Sequence, residues 1–227
     1  MTQQYTILFD LDGTLVDTAP DLMRAHNHVM KKFGYPTKST EEIRNLVGQG
    51  AGAMLGRSIW GQAKKEFGKV QDEKIKKEMV KDFVDFYGKN IVNESTLIKG
   101  VKNFLIWCKE NKISMAVCTN KQEHLAIDLL KKIGIYDFFE YVAGHNTFEY
   151  CKPDPRHLTS VVEILGGDIK KTLMIGDSET DANAAKNAGI PVILLEDGYT
   201  EKNTSEIYHN HLVKGFIGIE KIVLKYL

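Results

Sequence analysis

Four short stretches, far apart in the chain, carry side chains that could act together on a phosphoryl group. The first, FDLDGTLVDT at residues 9–18, closes an apolar run with two acids two positions apart, Asp10 and Asp12, and Gly13 follows at once. Along an extended segment, residues i and i+2 point to one side. The two carboxylates therefore start together, while Leu11 faces a core. An aspartate, with a reference pKa of about 3.9, is ionised at neutral pH and can attack phosphorus without a separate activating base. A second carboxyl group nearby can protonate the departing alcohol, then take a proton from the water that cleaves the acyl phosphate. Acids this crowded repel one another unless a divalent cation and a phosphate sit between them. Oxygen ligands with room for water and a phosphate oxygen suit Mg²⁺.

The other three stretches supply the remaining parts. VCTNK (117–121) offers Thr119 and Asn120, CKPDP (151–155) offers Lys152, and MIGDSETD (174–181) offers Asp177, Ser178 and Asp181. The Thr119 hydroxyl and the Lys152 ammonium suit phosphoryl oxygens, helped by donors at the head of the helix expected after Asn120. Asp10, the main-chain carbonyl near Asp12, and Asp177 could hold the cation. Taken singly, each has an ordinary reading: a strand-end or helix cap, or a surface lysine. Only the set points to a site.

These groups meet only if the fold delivers them to one edge. Short apolar runs alternate with helical patterns, the signature of a parallel α/β sheet flanked by helices. The expected strands are 5–9, 113–118, 140–143, 172–175 and 191–195, with a weaker one at 215–217. In an open sheet of this kind, ligands bind beyond the carboxyl ends of the strands, near the switch in strand order. Each of the four stretches lies just past a strand or in a connecting loop on that side. The alternation fails once, between about 19 and 95. There, Leu22, Ala25, Val29 and Phe33 share helical spacing, and Ile75, Met79, Phe83, Tyr87 and Ile91 repeat it. The expected organisation is a core of residues 1–15 and 96–227 with a helical insertion of residues 16–95. The lysines of 64–89 are interleaved with acids and read as a solvated helix face.

In this order, DLDGTLVDT, CTNK, CKPDP and GDSETD resemble the four signatures of the haloacid-dehalogenase-like hydrolases. The stretches DTAPDL, TNK, KPDPRHL, GDSETDANAAKNAGIPVI and GYTE place the closest likeness with the phosphoglycolate phosphatase branch of that family. The resemblance implies a Rossmann-like core with an all-helical cap after the first motif. It makes Asp10 the nucleophile and Asp12 the general acid and base. Thr119, Asn120 and Lys152 bind phosphate, and Asp10, Asp12 and Asp177 form the Mg²⁺ set. Asp181 and Ser178 stand behind them, Asp181 steadying Lys152. The implied reaction is hydrolysis of a small phosphate monoester, with 2-phosphoglycolate the leading substrate. Sugar-phosphate mutase, pyrophosphatase and nucleotide phosphatase chemistry, or phosphometabolite binding without turnover, are the alternatives on the same core. Lys99 before Gly100, and GHNTFEY before Lys152, depart from the usual pattern without touching a catalytic position.

In the insertion, VGQGAGAMLGRS (47–58) reads as a glycine-rich turn between helices that can close over a substrate. Gly50 lies in it, and Arg57 or Arg44 could meet a substrate carboxylate. Asp17 reads as a turn or helix-capping residue. Thirty basic and thirty acidic residues cancel among 227, so no charge excess draws the chain to nucleic acid or an anionic membrane. The apolar runs are too short to span a bilayer, and MTQQYTILFD lacks the pattern of a secretory leader. Three cysteines without CxxC spacing suit reduced thiols. The expectation is a cytoplasmic monomer or homodimer acting on a small phosphorylated metabolite.

Overall fold

The structure, a computed structural model, describes residues 5–60, 70–200 and 202–226. Lys64, Lys65, Glu66 and Lys69 of the mixed-charge run lie outside the described residues, as do the side chains of Asp72, Glu73, Lys74 and Ile75.

Six parallel strands form the main sheet: β1 (Thr6–Phe9), β4 (Ser114–Cys118), β5 (Tyr141–Ala143), β6 (Thr172–Gly176), β7 (Val192–Leu195) and β8 (His211–Val213). A separate two-stranded antiparallel pair consists of β2 (Val16–Asp17) and β3 (Thr96–Leu97). The helices are α1 (Ala19–Phe33), α2 (Thr40–Arg44), α3 (Ala51–Trp60), α4 (Val70–Lys89), α5 (Val101–Glu110), α6 (Glu123–Lys132), α7 (Arg156–Ile164), α8 (Glu179–Ala188) and α9 (Glu220–Val223). Strand order is β5-β4-β1-β6-β7-β8. The chain builds outward from β1 through β4 to β5, then crosses back and builds the other way from β6. The order therefore reverses at β1.

Strands covered on both faces by helices read as continuous apolar runs, and every residue of β1, β4, β6 and β7 is buried. The sixth strand differs from the sequence expectation. It lies at 211–213, while Gly215 turns the chain with φ of 82° and Phe216 packs on Phe104 of α5 at 5.5 Å between ring centroids. Phe216 is apolar because of that packing, whereas Ile217 is exposed, and neither belongs to a strand.

Between β1 and β3 the described residues form four helices. Leu22, Ala25 and Val29 of α1, and Met79, Phe83 and Tyr87 of α4, are buried where α1 and α4 pack together. His28 stacks on Phe86 at 4.1 Å across the same seam. The helical module contains two helices, α2 and α3, beyond the two stripes read from periodicity. Ser39 and Glu42 close a reciprocal capping box on α2, a signal already legible in the sequence STEE. Asp21 in the first turn of α1 ties the returning chain down. Its Oδ2 accepts from the amides of Asn93, Glu94 and Ser95 at 3.0, 2.9 and 2.8 Å, and from Ser95 Oγ at 2.8 Å. No helix among the described residues is long and apolar enough to cross a membrane. Cys108, Cys118 and Cys151 are free thiols, the first two buried.

Candidate active site

Sheet register brings the four stretches to one rim. Phe9 lies level with Val117 of β4 on one side and Ile175 of β6 on the other. Asp10 follows directly, its N–H donating to the Ile175 carbonyl at 3.0 Å, and the Thr119 N–H likewise meets the Ala143 carbonyl at 2.9 Å. Asp10, Thr119 and Asp177 therefore emerge from adjacent strands at the carboxyl edge, beside the strand where the order reverses.

Asp10, Asp177 and Asp181 each place a carboxylate oxygen within 4.8 Å of the other two. Lys152, 2% exposed, reaches into this cluster. Its Nζ is 2.9 Å from Asp10 Oδ1 and donates to Asp181 Oδ1. The approach to Asp10 lies off the line of a hydrogen bond, so Oδ1 has charge compensation without a directed donor. Asp181 is otherwise occupied as a brace. Its Oδ2 accepts from the amides of Asp177 and Ser178 at 3.2 and 3.1 Å, and from Ser178 Oγ at 2.7 Å. Asp177 is oriented from both sides, by the Thr14 hydroxyl on Oδ1 at 2.7 Å and the Tyr199 N–H on Oδ2 at 2.6 Å. Gly13 is required here. A Cβ on it would sit 2.3 Å from Asp177 Oδ2, and its φ of 80° is one that residues with side chains rarely adopt.

The electrostatics follow from burial. Loss of hydration pushes Asp10 up to about 7, and the attraction of Lys152, which acts the other way, offsets it only in part. Burial, with repulsion from Asp10 and Asp181, raises Asp177 well above the usual carboxylate range. For Lys152, burial alone would favour the neutral amine. The attraction of Asp10 and Asp181 outweighs it and keeps the group a cation. Three buried carboxylates thus face one ammonium, an anionic excess built wholly of hard oxygen donors. That donor set fits a small divalent cation.

The Asp12 carboxylate is held separately. Lys121 Nζ lies 2.7 and 2.9 Å from its two oxygens, and the Thr18 hydroxyl donates to Oδ1 at 2.7 Å. Lys121 also sits over the Tyr87 ring of α4, 4.5 Å from its centroid. Lys121 was missed as a site residue, although TNK displayed it; nothing in linear spacing says that this lysine turns inward. Thr14 and Tyr199 were missed for the same reason.

Thr119 is buried, and its hydroxyl accepts from the Lys121 N–H at 3.1 Å. The Asn120 side-chain amide donates to two carbonyls, Gly48 of the glycine-rich loop and Lys152, both at 2.9 Å. It leaves its main-chain N–H as the group a phosphate could meet. A cavity of about 430 Å³ opens between the rim and the helical module, bounded by Asp10, Asp12, Thr119 and Lys121 below and by Gly50 and Tyr87 above. Gly50 thus lies on the cavity wall, while Arg57 turns its guanidinium to the Leu46 carbonyl and braces the same loop. Asp17 lies in β2 rather than in a turn and pairs with Arg44 at 2.8 Å. Thr18 takes the cap position of α1 without a side-chain cap bond, and the Asp17 carboxylate meets the first amide of that helix, at Ala19. Arg44 is therefore engaged at the base of the module.

A parallel Rossmann-like sheet with carboxylates and a lysine gathered at its switch point, under a helical cap inserted after the first strand, defines a capped α/β core of the hydrolase kind. The comparisons specify it further. A family model for haloacid dehalogenase-like hydrolases matches residues 7–195. The chain is 37% identical over 222 residues to a phosphoglycolate phosphatase of Caulobacter vibrioides, covering 98% of this chain and 92% of that one. It is 36% identical over 210 residues to a phosphoglycolate phosphatase of Mesorhizobium japonicum, covering 92% and 90%. Among solved structures, a predicted phosphoglycolate phosphatase from Haemophilus somnus superposes with a TM-score of 0.87 at 32% identity, covering 98% of this chain and 99% of the other. The chain belongs to the haloacid dehalogenase-like hydrolases.

Proposed function

We propose that this protein is a Mg²⁺-dependent phosphatase of the cytoplasm that hydrolyses small phosphate monoesters through a phosphoryl-aspartate on Asp10, with 2-phosphoglycolate as its substrate. The observation that carries this reading is the buried Asp10 carboxylate at the end of β1, 2.9 Å from the Lys152 ammonium and clustered with Asp177. The relatives named phosphoglycolate phosphatase, similar over nearly the whole chain, support the choice of substrate.

Each residue then has a role. Asp10 attacks phosphorus, forming the P–O bond to its carboxylate as the ester oxygen departs. Asp12 donates a proton to that oxygen, then takes one from the water that releases phosphate. Lys152, the Thr119 hydroxyl and the Asn120 N–H hold the phosphoryl oxygens. Mg²⁺, when bound by Asp10, Asp177 and the Asp12 carbonyl, offsets charge on the phosphoryl oxygens. Asp181 and Ser178 keep Lys152 and Asp177 in place. Residues 16–95 serve as the cap and residues 1–15 and 96–227 as the core. The pairing of Val16 with Leu97 and Asp17 with Thr96, where the chain leaves and returns, supports that division. Gly50 belongs to the cap loop that meets the substrate, and Arg57 fixes that loop from behind.

Release of inorganic phosphate from small phosphorylated acids, sugars, nucleotides and pyrophosphate, with and without Mg²⁺, tests the reading. The expected result is Mg²⁺-dependent release with 2-phosphoglycolate preferred. Asp10→Asn should lower turnover by about a thousand-fold or more while leaving the fold intact. Turnover retained in Asp10→Asn would remove the nucleophile.

A further inference from the structure

Tyr199, in the loop after β7, is bonded at its two ends to different parts of the molecule. Its main-chain N–H donates to Asp177 Oδ2 at 2.6 Å, inside the acid cluster. Its hydroxyl donates to Asp17 Oδ1 in β2 and accepts from the Ala19 N–H at 2.9 Å, at the first residue of α1. Arg44 of α2 completes the group, with Nη2 on Asp17 Oδ2 at 2.8 Å and its guanidinium carbon 5.3 Å from the Tyr199 ring centroid. The space around the ring is closed. A Cβ on Gly13 would lie 2.8 Å from Tyr199 Cγ, and one on Gly198 would lie 2.3 Å from Asp177 Cβ. Tyr199 itself is 3% exposed.

The protonation states suit a firm link. Burial raises the Tyr199 hydroxyl above its ordinary range, so it stays a donor. Burial would raise Asp17 too, but its bonds to Arg44 and Tyr199 outweigh that and keep it an ionised acceptor. Hydrogen bonds to an ionised group are shorter and stronger than neutral ones.

We propose that Tyr199 is a positioning residue that couples the seat of the helical cap to the acid cluster, one rigid ring setting both the Asp177 carboxylate and the place where β2 and α1 leave the core. The proposal rests on the reading of Asp177 as part of the cation site. Coupling is reciprocal: if the cap's seat biases Asp177, then occupation of the acid cluster biases the cap's seat.

Tyr199→Phe deletes only the hydroxyl and keeps the ring and the N–H on Asp177. Amide hydrogen exchange, with and without Mg²⁺ and without substrate, reads the link directly. In the wild type, Mg²⁺ should slow exchange at Ala19 and in α2. In Tyr199→Phe, exchange there should run about ten-fold faster or more, as expected for loss of a hydrogen bond to a charged group. The response to Mg²⁺ should vanish, with β1 and β6 unchanged. Three results would overturn the proposal: wild-type exchange at Ala19 and α2 indifferent to Mg²⁺, an undiminished Mg²⁺ response in the variant, or uniform loosening that includes β1 and β6. A blank phosphate-release panel would defeat the substrate reading and leave the exchange result standing.

Discussion

Replacing Lys152 with Met keeps the unbranched stem and removes the ammonium. Asp10, Asp177 and Asp181, all buried, would then face one another without that cation. Breaking a buried ion pair by deleting one partner costs about 3–5 kcal/mol, because the surviving charge stays buried without compensation. Proton uptake absorbs part of this. Asp10 already stands at about 7 with Lys152 present, and removing the lysine's attraction raises it further. A carboxylate whose folded pKa lies above its unfolded value destabilises the fold at high pH, and the penalty is relieved as pH falls through the folded pKa. In chelator at pH 8, Lys152→Met should therefore melt roughly 6–20 °C below the wild type, taking about 2–4 °C per kcal/mol for a chain of this size. The gap should narrow at pH 6 and also on adding Mg²⁺. Thermal unfolding followed by circular dichroism at both pH values, with and without Mg²⁺, measures this. A shift below roughly 2 °C at pH 8, or a gap that widens at pH 6, would refute the account of the cluster as an anionic excess balanced by one lysine.

Two other positions give independent tests. His157 is fully buried, and burial followed by repulsion from Lys152 pushes it down to about 3. The unfolded chain therefore takes up a proton there that the folded chain refuses. Stability associated with the neutral ring is complete above the unfolded pKa, about 6.5, and is lost as pH falls toward 3, at up to about 1.4 kcal/mol per pH unit. Urea unfolding between pH 6.5 and 4 should be less pH-dependent in His157→Met than in the wild type; equal slopes would remove His157 from the acid limb. Asp21→Ala should cost about 2–4 kcal/mol by stranding the amides of 93–95 and the Ser95 hydroxyl. Exchange at those amides should rise more than in β1, and unchanged protection there would show that Asp21 does not anchor the returning chain.

Much of the architecture was readable from local pattern. The apolar runs of β1, β4, β6 and β7 are continuous because helices cover both faces of the sheet. That double burial leaves a trace in composition. The break in alternation after β1 likewise reported a helical insertion, since the buried stripes of α1 and α4 repeat with helical period. Short or weakly apolar elements escaped. The residues of β8 are all only half-buried, so they carry no run to notice, and β2 and β3 are two residues each. α2 betrayed itself only by its capping box.

The acids Asp10, Asp12 and Asp177 and the cation Lys152 were legible because their chemistry and order are local properties of the chain. Their meeting was legible only in outline, as a consequence of parallel strands ending on one side. What tertiary structure alone decided is who holds them. Lys121 turns in to Asp12, Thr14 and Tyr199 orient Asp177, and Asn120 spans Gly48 and Lys152. These contacts join residues as many as 163 positions apart, as Thr14 and Asp177 show. A side chain's type states which bonds it can make. Which partner stands within 3 Å depends on register, twist and packing summed over the whole fold, and no window of sequence contains that sum.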